Sequence, residues 1–303
     1  MSSSSITPRT TSAVLPEAKF LIPVEGGELA VFRYGAENGK PVLLIHGVTS
    51  SNRAWQFFAV ELQKRGYTGY AVDLRGRGAS NQLESPFGMA SHARDMAAVI
   101  DNLGLASIEV IGHSMGAFVA AALVGLYPTK VSRTTLVDGG IPLPLPAGMT
   151  VAQVLPFVLG PALARLTMEF ESQEAYREFW KTNPALGTIW NSALDEYSDY
   201  DLQGEAPHLR PTSRIDAVEQ DSEDLFVSEL IDISLRNLTQ EVLLLRAVRG
   251  LKNEETPLYP LPVLDAVLQK YPKIVVKTID DVNHYGILLS ESGAQKCAEV
   301  IFS

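Results

Sequence analysis

Four short strand-like runs, Val42–Ile45, Gly69–Asp73, Ile108–Ile111 and Thr134–Val137, are separated by longer stretches with helical spacing. Val42–Ile45 (VLLI) is apolar throughout, as expected of a strand buried on both faces. Asn52–Arg65 places Trp55, Phe58 and Leu62 on one side of a helix. Met89–Leu103 and Met115–Tyr127 also read as helices, ended by Gly104 and Pro128. Parallel neighbours need long crossovers, and helices supply them. The alternation therefore predicts an α/β chain: a mostly parallel central sheet flanked by helices on both faces. Glu28–Tyr34 alternates instead and reads as an early hairpin strand.

The rhythm stops at Ile141 and returns at Val242–Leu245 and Ile274–Val276, with a last helix over about Glu291–Phe302. Residues 141–236 begin with Leu/Pro-rich sequence and continue through Phe170, Tyr176, Phe179, Trp180 and Trp190 in a helical, acidic context. That segment is too long for a plain loop. The expected organisation is a core of 19–140 and 237–303, a helical lid or cap of 141–236, and a disordered, Ser/Thr-rich N-terminal segment 1–18. With 303 residues, 46% of them apolar, the chain can bury a sizeable core. Its net charge of −10 argues against nucleic acid and anionic membrane surfaces. The start of the chain lacks a basic region followed by an apolar one, so no secretory signal is read there. No stretch approaches the roughly 20 apolar residues of a membrane span. The single cysteine, Cys297, reads as a core thiol, and a cytoplasmic location fits. Nothing in the sequence speaks to oligomeric state.

The strongest chemical signal is Val110–Phe118, VIGHSMGAF, with the pentapeptide Gly112-His113-Ser114-Met115-Gly116. It lies between a predicted strand and a predicted helix, the context that G-x-S-x-G requires. A tight strand-to-helix turn would expose the Ser114 hydroxyl on a strained backbone. Glycines on either side remove the Cβ atoms that would clash. The helix N-terminus would aim free N–H groups at a reacting carbonyl.

These residues resemble the α/β-hydrolase family, from about residue 28 to the end apart from the insertion. Leu44-Ile45-His46-Gly47-Val48 is similar to the family's strand and HG loop, which implies Val48 and Met115 as backbone donors of an oxyanion hole, with His46 structural. Asp73-Leu74-Arg75-Gly76-Arg77-Gly78-Ala79-Ser80 resembles its D-x-R-G-x-G-x-S turn, a shaping element. Asn283-His284-Tyr285 stands where the family places its histidine.

A serine hydroxyl needs a base within hydrogen-bond reach. His113 adjoins the nucleophile and is expected to point elsewhere, His92 lies on a predicted helix, and His208 lies in the insertion. His284 alone follows a core strand at the carboxyl edge of the sheet, where ligands bind in such folds. The acid is open between two positions. Asp138 ends the strand after the nucleophile helix, an arrangement that resembles some lactonases, while Glu254 and Glu255 are the first carboxylates after Val242–Leu245.

The expected pocket includes Gly47 and Tyr285, beside the reacting groups, and Trp180 from the lid. Ser rather than Asp at position 114 disfavours dehalogenase and epoxide hydrolase chemistry. With no G-x-G-x-x-G, P-loop or metal-spaced Cys/His cluster, no cofactor and no metal are implied. The expected function is a serine hydrolase for an apolar, small-molecule ester or lactone. Carbon–carbon bond hydrolysis or perhydrolysis on the same triad, a triad-bearing ligand receptor, and an inactive scaffold are the rivals.

Overall fold

The structure, a computed structural model, describes residues 13–303. Most of the segment 1–18, expected to be disordered, lies outside the described residues. Its last part is placed against the core: the Val14 N–H donates to the Gln56 carbonyl at 3.3 Å, and the first strand starts at Ala18.

Eight strands form the central sheet. They are β1 (Ala18–Val24), β2 (Gly27–Tyr34), β3 (Lys40–Ile45), β4 (Tyr67–Val72), β5 (Ile108–His113), β6 (Val131–Val137), β9 (Val242–Arg249) and β10 (Ile274–Asn283), in the order β1-β2-β4-β3-β5-β6-β9-β10. The strands from β4 to β10 are mutually parallel, and β1 and β2 join antiparallel. Every residue of the central strand β5 is buried, whereas the edge strand β1 alternates between covered and exposed positions. A strand with helices on both faces has no solvent face to make polar.

The pleat sends successive side chains to opposite faces. Leu43, Ile45, Val110 and Leu136 join a core under α2 (Met89–Asn102) and α3 (Met115–Leu126). Val42, Leu44, Ile111 and Val137 join the other, under α1 (Gln56–Lys64), the short α11 (Gly286–Leu289) and α12 (Glu291–Ile301). Cys297 is buried in this second core. The remaining crossover helix, α10 (Leu261–Lys270), precedes β10.

Residues 141–236 fold as α4 (Val151–Leu159), α5 (Pro161–Ala164), α6 (Gln173–Lys181), α7 (Ser192–Tyr200), α8 (Ile215–Phe226) and α9 (Glu229–Arg236). A two-residue antiparallel pair, β7 (Leu202–Gln203) and β8 (Arg210–Pro211), lies between α7 and α8. A capping box starts α4: the Gln153 N–H donates to Thr150 Oγ1, and the Thr150 N–H donates to Gln153 Oε1. The last of these helices, α9, packs on α3 and so belongs to the layer that covers the sheet. Gly125 makes this approach feasible, since a Cβ there would lie 2.1 Å from Ser234 Oγ.

Strand β3 and helix α3 touch through Gly116, where a Cβ would fall 2.1 Å from the Ile45 carbonyl oxygen. We expect Gly116→Ala to lower stability by at least about 3 kcal/mol, the upper range of overpacking costs. Gly104→Ala meets no atom within 4 Å and bears only the strain of φ +69°, about 1–2 kcal/mol. Urea unfolding of the two variants checks the order, and equal losses would contradict it.

Candidate active site

Ser114 joins β5 to α3 with φ +54° and ψ −122°, a conformation unusual for a residue with a side chain. Neighbouring glycines make room for it. A Cβ on Gly112 would lie 2.1 Å from the Gly116 oxygen, and one on Gly139 would lie 2.2 Å from the Ser114 oxygen. The Ser114 N–H donates to the Val137 carbonyl at 2.9 Å, which ties the turn to β6. The hydroxyl is left at the carboxyl end of the sheet, half-buried.

His284 arrives from β10, whose register with β9 shifts between Ile279 and Asn283 around Asp281 at φ +61°. Such an irregularity re-aims the end of a strand. Asn283 then fixes the following turn: its Oδ1 accepts the N–H groups of Tyr285 and Gly286, at 3.1 and 2.7 Å, and its Nδ2 donates to the Ala185 carbonyl. The result brings His284 Nε2 to 3.0 Å from Ser114 Oγ, and Nδ1 to 2.7 Å from Asp138 Oδ2. Asp138 is fully buried, and its other oxygen accepts the Ala247 N–H at 3.0 Å. One carboxylate oxygen is thus committed to β9 and the other to the imidazole. This favours the tautomer with a proton on Nδ1 and a lone pair on Nε2 facing the serine.

Glu254 and Glu255 are not at this histidine. Both are exposed, and Glu254 Oε2 accepts the Lys252 N–H at 2.6 Å. Because β6 and β9 are neighbours, Asp138 reaches His284 while the loop after β9 turns its glutamates to solvent.

The remaining histidines separate clearly. His46 donates from Nδ1 to the Gly47 carbonyl at 2.7 Å and accepts the Leu74 N–H on Nε2 at 3.0 Å. His92 is buried against Asp221, and His208 is exposed beside Glu169. His113, expected to point away from the nucleophile, is directed at the backbone of His284. Its ring lies 4.9 Å from the His284 ring, and its Nε2–H donates to the His284 carbonyl at 2.9 Å. It therefore supports the backbone of the histidine that faces Ser114. The contact joins residues 171 apart in the chain, so the sequence alone held no sign of it.

Two narrow clefts open onto Ser114 and His284 and share Val48, Leu159 and Leu251. The first is lined also by Gly47, Thr49, Ser50, Tyr197, Tyr285 and Leu288. The second is lined by Met115, Phe118, Leu143, Val158, Leu225 and Leu258. Gly47 and Tyr285, expected in the pocket, line the first cleft, and Trp180 lines neither. Trp180 is buried edge-on against Tyr176 and Phe179 with the Arg165 guanidinium over its ring, because the apolar stripe of α6 faces inward. Leu159 and Tyr197, which do line the clefts, carried no distinguishing sequence signal. As the first residue of α3, Met115 has an N–H with no carbonyl one turn back within the helix.

Residues 40–213 match the profile of the α/β hydrolase fold family. The chain belongs to that family. This α/β hydrolase is 35% identical over 144 residues to a Mycobacterium tuberculosis protein named lipase LipV, over 46% of the chain and 53% of that protein. The chain thus spans about half the length of that relative. It is 29% identical over 189 residues to N-formylmaleamate deformylase of Pseudomonas putida, covering 59% of the chain and 69% of that protein. The crystal structure of E-2-(acetamidomethylene)succinate hydrolase superposes with a TM-score of 0.76 at 21% identity, covering 94% of this chain and 99% of that one. Among the described residues, no group of three or more His, Cys, Asp or Glu side chains is arranged to hold a metal, and no helix is long and apolar enough to cross a membrane.

Burial lowers the pKa of His46 from 6.5 to about 4 and that of His113 to about 3. Between 6.5 and these values the unfolded chain binds protons that the folded chain refuses, so stability falls as pH falls. Each ring contributes a slope of up to about 1.4 kcal/mol per pH unit. We expect His113→Gln to remove one such contribution between pH 6.5 and 4, measured by urea unfolding at stepped pH. An unchanged slope would contradict the buried neutral ring.

Proposed function

We propose that this α/β hydrolase cleaves an uncharged, largely apolar carboxylic ester or lactone without a cofactor, through an acyl-enzyme on Ser114. The observation that carries the reading is the continuous line from Ser114 Oγ through the His284 ring to Asp138, at 3.0 and 2.7 Å. In this reading, Ser114 attacks the carbonyl carbon while His284 Nε2 takes its proton. Asp138 holds the ring and stabilises the imidazolium without becoming protonated. The N–H groups of Val48 and Met115 receive the oxyanion, each donor worth about 3–4 kcal/mol in the transition state. His284 then protonates the leaving alcohol, and water attacks the acyl-enzyme by the reverse use of the same base.

The clefts support the substrate class. Among the described residues, no Lys, Arg, Asp or Glu lines either one. The deformylase and succinate hydrolase relatives are named for carboxylate-bearing compounds, and a buried carboxylate would find no cation on these walls. The helical segment from Ile141 to about Val227 acts as a cap, bringing Leu143, Val158, Leu159, Tyr197 and Leu225 to the clefts.

Turnover of a panel of neutral esters and lactones, with fluorophosphonate labelling read by intact mass, tests the reading. We expect one adduct on the wild type, none on Ser114→Ala, and ester hydrolysis reduced at least about 10⁴-fold in that variant. Asp138→Asn is expected to lower kcat by about 10⁴-fold through the wrong tautomer. The double variant Glu254→Gln/Glu255→Gln should stay within about twofold of wild type, since neither carboxylate faces the site. Ester hydrolysis retained in Ser114→Ala, or abolished by the glutamate changes, would contradict the assignment.

A further inference from the structure

The loop after β3, Gly47–Ser50, contributes Val48, whose N–H is read above as an oxyanion donor. Its carbonyls are held one after another. The Gly47 oxygen accepts from His46 Nδ1 at 2.7 Å and from the Ser50 N–H at 3.2 Å. The Val48 oxygen accepts from Arg77 Nε at 2.9 Å. The Thr49 oxygen accepts from Arg165 Nη2 at 2.6 Å. A peptide group is planar and trans, so fixing the Gly47 oxygen fixes the direction of the Val48 N–H in the same plane. Fixing the next two oxygens removes the torsional freedom that would let that plane rock.

Both arginines are buried, and each has its counter-ion in the inserted segment. Arg77 Nη1 lies 2.5 Å from Asp221 of α8, at a site where both side chains are wholly covered. Arg165 Nη2 lies 2.9 Å from Asp201, which follows α7. Each aspartate is itself fixed. Asp221 Oδ1 accepts the Gly88 N–H at 2.6 Å, and Asp201 Oδ1 accepts the Thr212 hydroxyl at 2.8 Å. A buried guanidinium that lost its carboxylate would be strongly destabilised. Arg77 can therefore hold the Val48 carbonyl in this buried position only while α8 is docked.

We propose that Arg165 and Arg77 are positioning residues for the oxyanion loop, and that the inserted helices, through Asp201 and Asp221, form part of that hole's support. The proposal rests on the reading of Val48 as an oxyanion donor. It assigns the insertion a role in the transition state besides shaping the pocket: the cap must be seated for the donor to point correctly. Neither arginine lines the clefts, so their effect is exerted through the loop and not through substrate contact.

The test is the charge-neutral double variant Arg165→Met/Asp201→Asn, which leaves no unpaired buried ion, alongside Arg165→Lys. Circular dichroism and thermal unfolding establish that each is folded. Should the double variant fail to fold, Arg165→Lys, which keeps the charge opposite Asp201, carries the test. Steady-state kinetics on an ester hydrolysed by the wild type is compared with inhibition by a trifluoromethyl ketone, whose serine adduct carries the oxyanion. We expect kcat to fall about 10- to 100-fold, the scale of a donor displaced by an ångström. KM should stay within about threefold, and the inhibition constant should rise by the factor that kcat/KM loses. The pH midpoint of kcat/KM should not move, because His284 and Asp138 are untouched. A folded variant with wild-type kcat, or one whose loss lies wholly in KM, would overturn the clamp while Ser114→Ala remained inactive. Full ester hydrolysis by Ser114→Ala would instead remove the underlying reading, and the clamp with it.

Discussion

Three stretches of backbone converge on Ser114 more closely than side chains permit. Added Cβ atoms at Gly112, Gly116 and Gly139 would each come within 2.2 Å of a backbone oxygen. The ends of β3, β5 and β6 are therefore locked around one serine, and the Ser114 N–H bonds to the Val137 carbonyl at 2.9 Å. The residue after Val137 is Asp138, and the residues after β3 form the loop that carries Val48. The packing that strains Ser114 thus also sets where the proposed acid and one proposed oxyanion donor begin. Strained backbone of this kind persists only where the surroundings over-determine it.

The core fold was legible because its signals are local. Short apolar runs, helical spacing and the placement of G-x-S-x-G depend on neighbours in sequence, and they gave β3, β4, β5, β6 and the helices between them to within a few residues. The choice of acid was not local. It depends on β9 lying beside β6, which puts the Ala247 N–H on one Asp138 oxygen and His284, 146 residues away, on the other. Trp180 misled because an aromatic on an amphipathic helix reads alike whether its stripe faces a pocket or a core. Arg165 escaped notice entirely: its meaning lies in Thr49, 116 residues away in the chain.

The electrostatics divide the molecule into a neutral working surface and charged supports behind it. Among the described residues, none with a formally charged Lys, Arg, Asp or Glu side chain lines the clefts, while the fully buried pair Arg77–Asp221 and the nearly buried pair Arg165–Asp201 sit one layer back. His46, held neutral by burial, sits in the same layer, while His113, likewise neutral, reaches the wall of the first cleft; both bond backbone groups. Ionic groups buried this way contribute little net stability compared with apolar packing. Their value here is geometric, since each guanidinium donates to a loop carbonyl and lies beside a carboxylate of the insertion.

The most direct test of the central claim is to catch the covalent intermediate. A slowly hydrolysed neutral ester, mixed with enzyme and quenched in acid during the first turnovers, is read by intact mass and peptide mapping. A transient mass increase equal to the acyl group is expected, located on the peptide that bears Ser114 and formed with a stoichiometric burst of alcohol. Hydrolysis at full rate with no acyl adduct at any time, or with the adduct on another residue, would contradict it.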